Sequence, residues 1–439
     1  MPVLELDDIQ SGVLRPRPTP FHATYIIVRI DDRNAGRELM RRLRTVVSSA
    51  AHPESPAGDT WVSASLTFNG LRALGVPQKS LESFSREFQQ GMAARAALLG
   101  DVAESSPEHW EKPLGSPDAH VVITAISGDM PHLEAALARA RGAMEALPGI
   151  AAIWRQDCHV LPGETEPFGF KDGISHPAIE GSGIPGTNPQ EVPLKAGEFV
   201  LGYPDEMSER PEVPQPDVLG RNGSYVAFRK LHQRVAEFRR YLAGIATSPQ
   251  DEELLAAKIM GRWRSGTPLA LSPTADDPAI GADPKKNNDF AFSSDSIGYD
   301  TPLGAHIRRS NPRDSQVAGA PRIHRMIRRG TAYGPPLPPG ALEDDGVDRG
   351  LMFAFVGANL RRQFEFVQSE WMNSSTFFGG TTERDPVTGA ADGAGSYAIP
   401  RRPLRRLLKG LPRFVVTRGG EYCFLPSLSA LRWLSELQT

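Results

Sequence analysis

One histidine, His306, sits in a basic stretch punctuated by proline, Pro302-Leu303-Gly304-Ala305-His306-Ile307-Arg308-Arg309-Ser310-Asn311-Pro312-Arg313. A short apolar run then ends on the pair Arg328-Arg329, followed by Gly330-Thr331-Ala332-Tyr333-Gly334. An imidazole can ligate a metal, and a guanidinium closing an apolar strand can stabilise a developing anion. His306 is therefore the candidate ligand. Arg328 is the candidate anion stabiliser, with Arg329 as the adjacent alternative. The plainer reading of a lone loop histidine is a solvated side chain.

The remaining histidines narrow the kind of metal site. His22, His52, His109, His132 and His232 fall on loops or helix starts, His120 opens a strand and His324 falls on one. None stands at ligand spacing from another, and Cys158 and Cys423 form no Cys-x-x-Cys. Zinc needs three or four protein ligands. Haem supplies four nitrogens of its own and asks the protein for one imidazole. A haem site also needs cations for its propionates, and Arg308, Arg309 and Arg313 are close in sequence. It needs an acceptor for the outer ring nitrogen of the histidine. Glu365, within Gln363-Phe364-Glu365-Phe366, is the candidate, against the plainer reading of an exposed helix residue. On the far face, peroxide chemistry needs a proton acceptor beside a positive charge, for which Asp172 and Arg328 are the candidates. Asp172 lies in Gly169-Phe170-Lys171-Asp172-Gly173, flanked by His159 and His176. Glycines on both sides allow a sharp turn that presents its carboxylate; the same residues also suit an Asx turn closed on its own backbone. Gly181-Ser182-Gly183-Ile184-Pro185-Gly186 has part of a dinucleotide-binding pattern, but Pro185 and Pro189 bar the helix that pattern must open.

The elements that must position these groups follow from periodicity. Strands are expected at 23–30, 61–68, 120–126 and 150–154, with helices at 34–47 and 131–147. After a loop-rich bridge a similar order recurs. Strands are expected at 224–231, 322–328 and 350–357, helices at 232–245, 250–264 and 359–373, and a closing hairpin at 413–425 turning on Gly419-Gly420. The halves thus share a β-α-β-β-α-β order, which implies α+β, duplicated ferredoxin-like domains with antiparallel sheets packed together. The division is 1–160, a bridge at 161–221 carrying Asp172, and 222–439 with the cavity.

Bulk properties exclude several classes. The 439 residues are 40% hydrophobic and 23% charged, ordinary for a soluble protein, and the formal net charge is −3. That charge gives no basis for binding nucleic acid or an acidic membrane. No apolar run reaches the length of a membrane span. The acidic start, Met1-Pro2-Val3-Leu4-Glu5-Leu6-Asp7-Asp8, lacks a secretory pattern, and two cysteines make no disulfide framework. The expected location is cytoplasmic.

Three motifs, Gly-Phe-Lys-Asp-Gly at 169–173, Gly-Ala-His-Ile-Arg-Arg-Ser-Asn-Pro-Arg at 304–313 and Met-Ile-Arg-Arg-Gly-Thr-Ala-Tyr-Gly at 326–334, resemble those of dye-decolourising peroxidases. Segments 197–203, 222–225, 362–368 and 420–428 resemble the larger members, in the same order along the chain. Thr301 stands where the resemblance leads one to expect cysteine. The resemblance implies a duplicated ferredoxin-like fold, haem b at one per chain, hydrogen peroxide as oxidant and small-molecule reductants such as dyes and phenols. It carries the proximal ligand to His306, the catalytic aspartate to Asp172, the distal arginine to Arg328 or Arg329, and the acid partner of the histidine to Glu365. Bulky donors would be oxidised at the surface, where Trp263, Tyr299, Tyr333 and Trp371 are candidates against a plain core role. A haem-handling protein without turnover is the competing reading; it would need His306 but neither Asp172 nor Arg328. An Asp stays ionised down to about pH 4 when unperturbed, so activity is expected to persist in acid.

Overall fold

The computed structural model describes residues 3–51, 60–317, 319–377 and 383–438; His52 lies outside them. Four strands form the first half: β1 (His22–Ile30), β2 (Trp61–Thr67), β3 (Val121–Ser127) and β4 (Ile150–His159). β-branched and aromatic residues such as Tyr25, Ile26, Ile27 and Val28 favour the pleated conformation there. The second half contributes β5 (Ser224–Gln233), β6 (Ile327–Tyr333) and β7 (Gly350–Gly357). A small hairpin of β8 (Gly395–Ile399) and β9 (Arg406–Leu411) precedes β10 (Val415–Leu425).

The strand order is β4-β1-β3-β2 in one half and β10-β5-β7-β6 in the other. Each half therefore places its first and third strands centrally, all pairs antiparallel, which is the duplication expected from element order. The two join edge to edge where Cys423 and Phe424 of β10 pair with Thr67 and Leu66 of β2. Helices α1 (Arg33–Leu43) and α2 (Met130–Met144) cross over in the first half. Asp32 and Asp129 cap them, accepting the Ala35 and His132 backbone N–H. In the second half α3 (Val235–Ile245) and α4 (Pro249–Met260) follow β5, and two π-helical segments, Leu360–Glu365 and Val367–Met372, follow β7.

The outer strands β4 and β6 lie against one another, so the eight-stranded sheet folds onto itself. Tyr25, Ile27 and Val122 of one half meet Val226, Phe228, Ile327 and Met352 of the other in a shared core. Burying each large apolar side chain there contributes about 1.5–3 kcal/mol. The period of two along β6 then sorts its arginines. Ile327, Arg329 and Thr331 enter this core, where Thr331 Oγ1 and Tyr25 OH are 2.9 Å apart. Arg328 and Gly330 face the other side of the sheet, where the cavity lies.

Two expected elements differ, and one hairpin was not expected. The closing hairpin is one continuous strand, β10, with a bulge where Thr417 pairs with Leu231 and Gly419 with Lys230. Gly419 (φ +151°) lies against Leu114, whose Cβ would be 2.5 Å from an added methyl group. The strand expected at 322–328 starts later, because Pro321 opens a 3-10 turn through His324. The β8–β9 hairpin was hidden in a proline- and arginine-rich run.

Glu421 is buried beside this bulge and accepts the Gly115 N–H at 2.6 Å. Burial raises its pKa to about 8. A carboxyl raised in the folded state contributes stability fully below its unfolded pKa and loses it as pH rises to the folded value. Glu421→Gln is therefore expected to raise Tm over wild type at about pH 9 and to match it near pH 4. Differential scanning calorimetry across that range checks this; equal Tm profiles would refute it.

Candidate functional site

The Asp172 loop is built on a buried carboxylate. Glu166 accepts the Phe168 and Phe170 backbone N–H groups, each at 3.0 Å, and a third hydrogen bond from Gln233. Burial raises its pKa against these bonds. Phe168 and Phe170 pack on Phe238, which anchors the turn in an aromatic cluster. Gly169 (φ +95°) and Gly173 (φ +76°) make the reversal that L side chains resist. Asp172 thereby emerges beside β6, and a methyl group on Gly330 would sit 3.2 Å from its Oδ2. Its carboxylate accepts a hydrogen bond from Arg17 Nη2 at 2.8 Å rather than closing an Asx turn.

Arg328 and Arg329 have different surroundings. Arg329 donates through both Nη atoms to the backbone carbonyls of Gly12, Val13 and Arg15 and lies over the Trp61 ring, which ties it to the N-terminal segment. That clamp delivers Arg17, two residues on, to Asp172. Arg328 is half-buried on the cavity wall and makes no hydrogen bond to any described residue. Burial lowers its pKa, and the nearby Asp172 charge opposes the shift.

His306 opens the single-turn helix α5 (His306–Ser310). Its Nδ1 lies 3.0 and 3.2 Å from the two carboxylate oxygens of Asp385. Asp385 is buried; burial would raise its pKa, but its contact with His306 and the Thr388 backbone hydrogen bond outweigh it and the net shift is downward. Nδ1–H is thus the donor to Asp385, which leaves the Nε2 lone pair available. Arg309 donates to the carbonyls of Trp371 and Glu383, fastening the segment that carries Asp385.

A cavity of about 260 Å³ joins these groups, lined by Asp172, His306, Asn311, Arg313, Arg328 and Phe353 among others. A second of about 150 Å³ adjoins it and shares His306, Arg328, Leu231, Leu351, Phe353 and Val415. Arg17, Lys171, Arg262 and Arg313 line the larger cavity and supply its cations. Arg313 is held by Asn288 and the Phe290 carbonyl, and burial lowers its pKa to about 10.

Two sequence expectations fail. Glu365 is not the partner of His306: it takes a bidentate pair from Arg95 at 2.7 and 2.6 Å and a hydrogen bond from Tyr422 OH at 2.9 Å. Asp385 takes the place proposed for it, from a loop 79 residues beyond His306, with no spacing that marks it in sequence. Arg308 does not face the cavity either. One helical turn directs it inward, where it binds Asp295 and the Thr301 carbonyl and lies over Phe292. Arg17 and Glu166 also went unseen, since only tertiary packing links them to Asp172. Of the four surface-aromatic candidates, Trp263, Tyr333 and Trp371 are buried, and Tyr299 alone is exposed.

The donor set fits a haem better than a bare ion. Among the described residues no group of three or more His, Cys, Asp or Glu side chains gathers to hold a metal. One imidazole with its far nitrogen anchored, a roomy cavity and several cations is what a carboxylated macrocycle asks for.

No protein-family model matches the chain. It is 33% identical to a dye-decolorizing peroxidase of Exidia glandulosa, over 98% of this chain and 86% of that one. It is 30% identical to the multifunctional dye peroxidase DyP2 of an Amycolatopsis species, over 98% of this chain and 96% of the relative. A solved dye-decolorizing peroxidase bound to 2,6-dimethoxyphenol superposes with a TM-score of 0.85, at 28% identity over 99% of this chain and all of that one.

Arg308→Met is expected to destabilise the fold by about 3–5 kcal/mol, because it leaves the buried Asp295 without its cation. Urea unfolding checks this; a midpoint equal to wild type would contradict the inward placement.

Proposed function

The chain belongs to the dye-decolorizing peroxidase family, and from that premise we propose that its cavity holds one haem b on His306 and uses hydrogen peroxide to oxidise organic donors. The observation that carries the reading is the pairing of an anchored imidazole with an acid–arginine pair on the same cavity. His306 Nε2 would hold the haem iron, with Asp385 on Nδ1 fixing the tautomer and raising its basicity. Arg313, with Arg17 and Lys171 lining the same cavity, would meet the propionates in place of Arg308. When bound, haem supplies a Lewis-acidic iron and the capacity to pass single electrons.

The protein's own groups do the proton work. Asp172 takes a proton from the inner oxygen of peroxide and returns it to the outer oxygen, which leaves as water. Arg17 donates to that carboxylate at 2.8 Å and orients it before the proton arrives. Arg328, which makes no hydrogen bond to any described residue, stabilises the negative charge that builds as the O–O bond breaks. Gly330 keeps the space beside Asp172 open, while Leu351 and Phe353 form apolar walls that strengthen both interactions. Small phenols, of the kind bound by the solved relative, are the proposed donors. A haem-handling protein would need His306 and Asp385 alone; the presence of Asp172 and Arg328 favours turnover.

Asp172→Asn and Arg328→Leu should each lower peroxide-driven phenol oxidation about 10²–10⁴-fold with the Soret band retained. Unchanged rates in both would overturn the assignment. Asp385→Asn should loosen haem about 10–100-fold, measured by transfer to apomyoglobin. If Glu365→Gln did this instead, the partner assignment would be wrong.

A further inference from the structure

Arg329 carries a buried charge that no carboxylate of a described residue balances. It is 6% exposed. Its Nη atoms donate to the carbonyls of Gly12, Val13 and Arg15, which bring partial charge only. Its Nε–H is buried and meets no acceptor among the described residues. Trp61 repeats the pattern: it is 3% exposed, and its indole N–H also has no partner among them. The two residues are neighbours, with the guanidinium carbon 5.7 Å from the centre of the Trp61 ring.

Both line a cavity of about 40 Å³ between the two halves of the sheet. A single water needs only about 10–15 Å³ of such space, so a larger occupant fits. Ser63, Ser65 and Thr124 add hydroxyls to its wall, and Val226 and Val356 add apolar surface. Ser63 Oγ accepts the Gly12 N–H at 3.2 Å, which leaves its own proton to donate. An indole N–H and a guanidinium N–H can only donate. Burying a donor without an acceptor is costly, and burying a charge without a partner more so. The cavity thus lacks one thing, an acceptor that carries negative charge.

We propose that this cavity is a binding site for a small monovalent anion, chloride, held by the Arg329 Nε–H, the Trp61 indole N–H and the Ser63 hydroxyl. A water would accept these hydrogen bonds but leave the charge unbalanced. A sulfate or phosphate would bring more lone pairs than three donors satisfy. The site lies on the face of β6 opposite the His306 cavity, so it stands independently of the peroxidase reading. Its occupant completes the hydrogen bonds of the arginine that clamps residues 12–15, the segment leading to Arg17. Chloride therefore stabilises the fold at the seam between its halves.

The test uses the full chain with its haem, in two measurements. Crystals grown in sodium bromide are measured at the bromine absorption edge, where an anomalous peak is expected between Arg329, Trp61 and Ser63. Tm is then followed against sodium chloride and against sodium gluconate at equal ionic strength. Chloride should raise Tm along a saturating curve that gluconate, too bulky for the cavity, does not reproduce. Trp61→Phe keeps the ring and removes the donor, and should shift half-saturation to about tenfold more chloride. Ser63→Ala should shift it in the same direction, which keeps the test sound if either variant folds poorly. A cavity holding only water would overturn the proposal. So would a bromide peak with identical chloride and gluconate curves, which would mean an adventitious ion only, or a chloride response unchanged in both variants.

Discussion

The hydrogen bond between His306 Nδ1 and the buried Asp385 carboxylate sets the terms for the rest of the site. An imidazole free to rotate or change tautomer would offer its second nitrogen in no fixed direction. Asp385 removes that freedom, and it is itself held by the backbone N–H groups of Val387 and Thr388. Arg309 then secures the preceding residues through the Glu383 carbonyl. Arg309 thus serves the orientation of His306, Arg308 is buried against Asp295, and the cations facing the cavity are Arg313 and, from elsewhere in the chain, Arg17, Lys171 and Arg262.

The opposite wall depends on the geometry of a β-strand. Alternation along β6 sends Arg329 into the core between the halves and Arg328 into the cavity, so adjacent arginines have unrelated tasks. Arg329 clamps residues 12–15, and this clamp brings Arg17 to Asp172. The first half of the chain therefore contributes to a cavity formed mostly by the second. A duplicated sheet folded on itself makes that contribution possible, because its shared core places the N-terminal segment behind β6.

What was legible in sequence was local. The β-α-β-β-α-β order came from periodicity, and the Asp172 turn came from its glycines. His306 stood out because no second ligand accompanied it. The partner of His306 was not legible, because Glu365 looked suitable by its aromatic neighbours while Asp385 had no distinguishing company. Tertiary packing reversed that choice by giving Glu365 to Arg95 and Tyr422. Arg308 misled for a related reason: closeness in sequence to His306 says nothing about which side of a helical turn a residue faces.

The most direct measurement is a haemin titration of the haem-free chain and of its His306→Ala variant, followed by Soret absorbance. The wild-type chain should saturate at one haem with an imidazole-ligated spectrum. The variant should lose that spectrum and regain it when free imidazole is added. Equal stoichiometry and an identical spectrum in the variant without imidazole would contradict the account.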